Sequence, residues 1–543
     1  MTKNVSKFAF FLISMIVLAS CGGTTMVSTP IANIDTTPLK LADLTETEKQ
    51  NWGHLDLVSD TIPGMSVDKA YKDLIGTKKG TKIIVAVLDS GMDLKHEDLD
   101  GVLWTNTKEK AGDGIDNDGN GYIDDIHGYN FLGESYNERL EAARIVKLKL
   151  GDADIQAKAQ ADVDENYAKA VSEKQRLEQI AQTVKNADDA VKKELGKDTY
   201  TKEDLAEMKP TGEAMQQNVG ILSQMFQYAD SIADLMDQLN DGITYYADQA
   251  NYNYNVEFDG RASVGDDPYD ITDTKYGNGN PQNRVEDESH GTHVAGIIGA
   301  ERNNGKGVNG VANNVALMSI RAVPNGDEYD KDIALGIRYA VDNGAKIING
   351  SFGKGFSPNA QWVYDAIKYA GSKGVLFVHA AGNDGANLDD PSNPNFPNDQ
   401  VNNGPEISDN VITVGALSPK YGSEMLADFS NYGDINVDVF APGGQIYSTV
   451  PGSKYEFNSG TSMAAPGVAG VAALVWSQYP KLTASQVKKI ILQSGLEPKA
   501  KVVLGGDSSK TGSLADISIS GKMVNAYNAL VMAEAVSKGT VKL

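Results

Sequence analysis

From Lys82 onward, short apolar runs alternate with stretches of helical periodicity, and this alternation constrains the fold more than any other feature of the chain. Ile83–Leu88, Val315–Ile320, Lys346–Asn349, Val375–Val378, Val411–Val414 and Val437–Phe440 each read as a strand buried on both faces. Asp330–Asn343 and Ala360–Ser372 read as helices between them, and Thr483-Ala-Ser-Gln486 opens another with a capping box. Buried strands separated by helices predict an α/β fold with a doubly wound, mainly parallel sheet. One stretch breaks the rhythm. Residues from about 134 to 250 are rich in Ala, Glu, Lys and Gln, with no proline between Pro63 and Pro210. Within it Ile221, Met225, Ile232, Met236, Leu239 and Ile243 recur at helical spacing. Two or more long helices are expected there, a hairpin or small bundle forming an inserted all-helical subdomain. Its Met stripe reads as core and its charges as a solvated face, with a protein partner at the insertion as the alternative.

The N-terminus carries an export pattern. Lys3 and Lys7 precede the apolar run Phe8–Ala19, too short for an ordinary membrane span, and Leu18-Ala19-Ser20-Cys21 follows. The small residues before Cys21 resemble the bacterial lipobox, which implies cleavage after residue 20 and a diacylglyceryl thioether on the Cys21 sulfur. The alternative is a plain signal peptide that contains a cysteine. The expected location is the bacterial cell envelope, with the chain lipid-anchored at the outer membrane or cell surface and residues 21–50 as a Thr-rich tether. Cys21 is the single cysteine, so no disulfide within the chain can stabilise the exported domain. The formal charge of −24 argues against nucleic acid as a partner and fits a calcium-tolerant exterior.

Chemistry concentrates in a few short blocks. Ser462, in Ser459-Gly-Thr-Ser-Met-Ala-Ala-Pro466, stands before an apolar helical run, either as a helix cap or as a nucleophile at the positive end of a helix dipole. Of the six histidines, His290 and His293 share the block SHGTHVAG. They lack the glutamate and third ligand of a zinc pair, so a base beside the nucleophile is the better use. Asp89 closes the strand run IIVAVLD, where parallel sheets present ligand and catalytic groups.

VAVLDSG, HGTHVAG and GTSMAAP, in the order Asp89, His290, Ser462, resemble the three signature blocks of the subtilisin-like serine peptidases. The resemblance implies a serine endopeptidase acting on peptide or protein substrates, with Ser462 as nucleophile, His290 as base and Asp89 as its orienter. It also implies that Asn383, in Val378-His-Ala-Ala-Gly-Asn383, donates to the oxyanion. Ser351, Phe352 and Gly353 resemble the strand that pairs with substrate backbone. Ala380, Ala381 and Gly382 are expected to line the adjoining side-chain pocket. Gly350 stands where relatives carry a bulky apolar residue and His379 where they carry a small one. Asp384 would favour a basic substrate side chain.

The run Asp113-Gly-Ile-Asp-Asn-Asp-Gly-Asn-Gly-Tyr-Ile-Asp-Asp125 resembles the start of a calcium loop, with Asp113, Asp116, Asp118, Asn120 and Asp124 as candidate ligands of a structural calcium. Position 12 counted from Asp116 is His127, so an EF-hand is not expected. The likeness covers residues from about 50 to 132 and 260 to 535. This divides the chain into peptidase segments 51–133 and 256–543 around a helical insertion, 134–255. Some two hundred positions then separate Asp89 from His290, where relatives have a few tens. The family's inhibitory foldase domain is not recognisable between Cys21 and Lys82. A non-catalytic envelope scaffold that binds a partner through the insertion is the competing reading.

Overall fold

The computed structural model describes Lys40 and residues 42–543; Cys21 and the expected signal lie outside them. Seven strands form one parallel sheet: β1 Ile83–Asp89, β2 Gly128–Asn130, β3 Val315–Arg321, β4 Ile347–Gly350, β5 Leu376–Ala380, β6 Val411–Leu417 and β7 Val439–Pro442. Their order is β2-β3-β1-β4-β5-β6-β7. The chain passes from β1 to the edge strand β2, returns to β3 beside β1, and then moves outward on the other side from β4 to β7, so the crevice between the carboxyl ends of β1 and β4 is a topological switch point. The three-residue β2 was not expected, being too short to carry a pattern of its own.

Alternate residues of β1 feed two separate cores. Val85 and Val87 point into one with Val378, Val414 and Leu474, while Ala86 and Leu88 join Ile320, Ile348 and Phe377 in the other. This two-faced burial is why the strand runs are apolar throughout rather than alternating.

Before the sheet, helices α1 Glu46–Asn51 and α2 Val67–Ala70 frame a segment built into the first core through Trp52, Leu57, Ile62, Met65 and Ile75. Trp52 Nε1 donates to the carbonyls of Gly444 and Gln445, each at 3.1 Å. Helix α1 thus lies largely inside the stretch expected to be tether to residue 50. The cause is a Thr45–Glu48 capping box, which starts a helix that the sparse apolar pattern conceals.

Between β2 and β3 lie helices α3 Glu141–Leu148, α4 Ala153–Leu195, α5 Lys202–Glu207, α6 Glu213–Met225 and α7 Ile232–Asp248. The 43 residues of α4 extend about 65 Å at 1.5 Å per residue. Ile232 is buried in a local core with Val184, Val191, Leu222 and Phe226, against which Ile221, Met225, Met236 and Leu239 pack. Helix α8, His290–Gly299, leads into β3. Helices α9 Asp330–Asp342 and α10 Ala360–Ser372 contribute to the second core, whereas α11 Thr461–Gln478 runs through the first.

Candidate active site

Asp89 is the last residue of β1 and is fully buried; His290 is the first residue of α8. Their alignment is set by backbone: the N–H of Gly291 donates to Ser90 Oγ at 3.1 Å. A Cβ on Gly291 would lie 2.1 Å from the Gly91 carbonyl oxygen, so only glycine lets the helix start approach this turn. The result is a 2.7 Å hydrogen bond from His290 Nδ1 to Asp89 Oδ1. Oδ1 also accepts from the Ser90 N–H at 2.7 Å, while the buried Oδ2 meets no donor. Burial pushes the His290 pKa down, but the charge of Asp89 and its hydrogen bond outweigh this and hold it above the ordinary histidine value. His293, one turn further on, is turned away: its Nε2 bonds the Glu456 carbonyl at 3.1 Å, and burial lowers its pKa to about 4.

Ser462 is the second residue of α11, where no carbonyl of the same helix is available to its N–H. Pro466 sits four residues on and has no N–H to give to the Ser462 carbonyl. That carbonyl accepts instead from Ser351 Oγ at 2.9 Å, and the Ser462 hydroxyl donates back to the Ser351 carbonyl at 3.2 Å. The nucleophile candidate is thereby pinned to the segment that follows β4. Its hydroxyl rests on Ser351 rather than on His290; in serine nucleophiles the bond to the base commonly tightens only with substrate present.

Asn383 follows β5. Its Oδ1 accepts from the Thr461 N–H at 2.8 Å and from Thr461 Oγ1 at 3.0 Å, so the amide nitrogen faces the other way. A Cβ on Gly460 would lie 3.6 Å from both Asn383 Nδ2 and the Ser462 nitrogen. Asn383 and the Ser462 nitrogen thus lie beside the same turn.

Asn431, which no local pattern marks, holds this loop. It is 1% exposed. Its Oδ1 accepts from the N–H groups of Asp384 (3.0 Å) and Ala386 (2.9 Å), and its Nδ2 donates to the Ala381 carbonyl at 2.9 Å. Asn383 is thus clamped on both sides. In sequence Asn431 reads as a turn residue in Phe429-Ser-Asn-Tyr-Gly433, and nothing local distinguishes it from one.

The expected substrate segment is divided by the structure. Ser351, Phe352 and Gly353 line a crevice with Asp89 and His290; Phe352, Gly353, Ala380, Gly382, Asn383 and Ser462 line an adjoining pocket of about 540 Å³. Ala381 does not face this pocket. It is fully buried, with its carbonyl taken by Asn395 and Asn431, because alternate residues of an extended segment point to opposite sides.

The acidic loop also differs from expectation. Carboxylate oxygens of Asp116 and Asp118 lie within 4.8 Å of one another and of Glu109, which the spacing argument missed because it precedes the Asp/Gly run. All of these side chains also bond within the loop: Glu109 accepts from the N–H groups of Asn117, Asp118 and Asp124, and Asp116 from those of Gly119, Asn120 and Gly121. Asp124 caps the N–H groups of Gly112, Asp113 and Gly114; Asp113 Oδ1 accepts from Ile115; Asn120 donates to Asp125 and accepts from Tyr122. A hard-oxygen set of Glu109, Asp116 and Asp118 suits a calcium ion in donor type.

A parallel α/β sheet with an Asp–His pair in its switch-point crevice and a helix-terminal serine in the adjoining pocket fits the class of α/β serine peptidases. The chain belongs to the subtilase family, peptidase S8, whose family model matches residues 80–513. It is 42% identical over 223 residues to a thermophilic serine proteinase of Bacillus sp. (strain AK1), covering 41% of this chain and 49% of that one. It is 41% identical to thermitase of Thermoactinomyces vulgaris, over 36% of this chain and 63% of that one. It is 40% identical to subtilisin DY of Bacillus licheniformis, over 37% and 67%. The matches span about half the length of the first of these relatives.

Proposed function

We propose that the chain is a serine endopeptidase that hydrolyses peptide bonds through an acyl-enzyme on Ser462. The observation that carries this is the 2.7 Å bond between His290 and Asp89 at the mouth of the crevice whose Ser351 is bonded to the Ser462 hydroxyl. In the acylation step, His290 Nε2 takes the hydroxyl proton as Ser462 Oγ attacks the substrate carbonyl carbon. Asp89 holds the imidazole in the tautomer with its proton on Nδ1 and stabilises the imidazolium that forms. Negative charge gathers on the carbonyl oxygen, to which Asn383 Nδ2 and the Ser462 N–H donate. His290 then protonates the leaving amine, and water attacks the ester by the same relay. Substrate backbone lies along Ser351–Gly353 as an added strand.

Calcium held by Glu109, Asp116 and Asp118 would stabilise the fold, since a ligand of the native state alone shifts unfolding by mass action. The division into peptidase segments 51–133 and 256–543 around a helical insertion, 134–255, belongs to the same reading. So does a lipid on Cys21 anchoring the enzyme to the cell envelope; its support is the sequence around the single cysteine. Labelling by a fluorophosphonate probe, with Ser462→Ala as control, tests the activity. Ser462→Ala should abolish labelling and lower turnover about a millionfold, the cost of losing a triad nucleophile. Absence of labelling in the intact chain with calcium present would favour the scaffold.

A further inference from the structure

The helical stretch between β2 and β3 does not stand apart from the cleft. Leu140, Ala142, Asp162 and Tyr254, all at its root, line the same 540 Å³ pocket that begins at Ser462 and Asn383. The root is also bound to the residue that follows Ser351–Gly353. Lys354 is buried, and its Nζ donates to Glu141 Oε2 at 2.8 Å and to the Glu328 carbonyl at 2.8 Å, with Asp330 Oδ1 at 2.9 Å. Arg144, fully buried on the same turn of α3, donates to the same Glu141 oxygen at 2.8 Å and to the carbonyls of Asp327 and Glu328. Asp327 Oδ2 in turn accepts the Glu141 N–H at 2.7 Å. Two residues beyond Lys354, Phe356 packs into a cluster of Ala142, Ala143 and Ile145 from α3 with Ala159 and Val163 from α4.

A buried ion pair of this kind adds little net stability, but removing one member leaves the other charge uncompensated, so it fixes geometry strongly. We propose that the helical stretch is a substrate-binding element: its root walls the pocket beside Ser462, and Glu141, through Lys354, holds Ser351–Gly353 extended for pairing with substrate. Glu141 is then a positioning residue. This role presupposes Ser462 as the nucleophile and Ser351–Gly353 as the substrate edge. It gives α3 and the base of α4 a role in the reaction rather than in recruiting another protein.

Two readouts on the full chain separate the possibilities. A small fluorophosphonate touches the nucleophile, base and oxyanion donors, whereas an extended peptide must also pair with the edge. Glu141→Gln and Tyr254→Ala should each raise KM for an extended peptide about tenfold, with a much smaller fall in kcat and in the labelling rate. Glu141→Asp, which keeps the charge, should recover part of the loss. An unchanged KM in both variants overturns the proposal. So does an equal fall of labelling and peptide hydrolysis, which would mean that the root supports the whole catalytic domain. Should Glu141→Gln fail to fold, Tyr254→Ala, which leaves the ion pairs intact, decides alone. Failure of the intact chain to label would instead count against the reading of Ser462.

Discussion

Asp89→Asn removes one charge from the crevice while keeping its shape, and the hydrogen bonds around Asp89 determine what that costs. Oδ1 accepts from both the Ser90 N–H and His290 Nδ1, whereas Oδ2 is buried without a donor. An asparagine therefore keeps its oxygen at the Oδ1 position and places its NH2 where Oδ2 stood, so the histidine tautomer survives. What disappears is the attraction between carboxylate and imidazolium. Two unit charges 4 Å apart interact by about 4 kcal/mol at an effective dielectric constant near 20. The His290 side chain is 38% exposed, and screening by water lowers this to about 2–3 kcal/mol. The expected loss in kcat is roughly 30- to 150-fold, below the ~10⁴-fold cost when the tautomer is also wrong.

The pH dependence provides the second half of that test. Catalysis needs neutral His290, so the acid limb of kcat/KM lies above the ordinary histidine pKa in the intact enzyme. In Asp89→Asn, burial alone remains and the limb moves below it. Stability runs the opposite way: a raised folded pKa means that the pair stabilises the fold below the unfolded pKa. That contribution is lost as pH rises through the folded value. Hydrolysis of a fluorogenic peptide followed from about pH 5 to pH 9 reads the limb directly. A limb that stays in place or moves up, or a loss under about fivefold, would refute the reasoning.

Asn431→Ala should lower kcat about 10- to 100-fold with little change in KM, because it leaves the Asp384 and Ala386 N–H groups without partners, leaves the Ala381 carbonyl to Asn395 alone, and frees Asn383. Steady-state kinetics beside a melting curve checks this, and an unchanged kcat removes Asn431 from the account. Chelation of calcium should lower Tm measurably, since an ion at a hundred times its Kd contributes about 2.7 kcal/mol. Glu109→Gln should make Tm insensitive to the chelator; identical melting of the intact chain with and without it excludes the site. Asp162, Asp327 and Asp384 face the pocket beside Ser462, whose one lining cation, Lys354, is paired with Glu141 and Asp330. Peptides with Lys or Arg before the scissile bond should therefore be cleaved faster than those with Leu, and Asp384→Asn should reduce that ratio about tenfold. A peptide library read by mass spectrometry gives the ratio.

The four residues proposed to do the chemistry could be singled out in the sequence because each sits in a block whose local structure is self-evident. Asp89 ends an apolar strand, His290 and Ser462 open helices, and Asn383 follows a strand, so four short segments define four positions. What holds those positions was not legible, because it arrives from places with no sequence signature. Asn431 comes from a turn 48 residues beyond Asn383, and Glu141 reaches Lys354 across 213 residues. The acidic loop was read in part, Asp116 and Asp118 falling in the cluster and Glu109 lying outside the run that was counted. Counting from Asp116 assumed that every oxygen in the run turns inward, whereas folding uses Asp124 to cap the turn at Gly112–Gly114 and brings Glu109 in from outside the run.

Two departures that looked independent in the sequence, Gly350 and His379, are one adjustment in three dimensions. They are paired neighbours on β4 and β5. The His379 ring stacks on Phe377 and lies against Phe352, both at 6.0 Å between centroids, and its Nδ1 bonds the Gly350 carbonyl at 3.1 Å. A Cβ on Gly350 would meet Phe377 at 2.9 Å and Phe352 at 3.0 Å. Volume removed from one strand is thus occupied by rings carried on its neighbour and on Phe352. Because interiors are close-packed, neither half of such an exchange is tolerable without the other. A bulky residue at position 350 is therefore incompatible with Phe377 and Phe352 as they stand, and His379 packs against both of those rings.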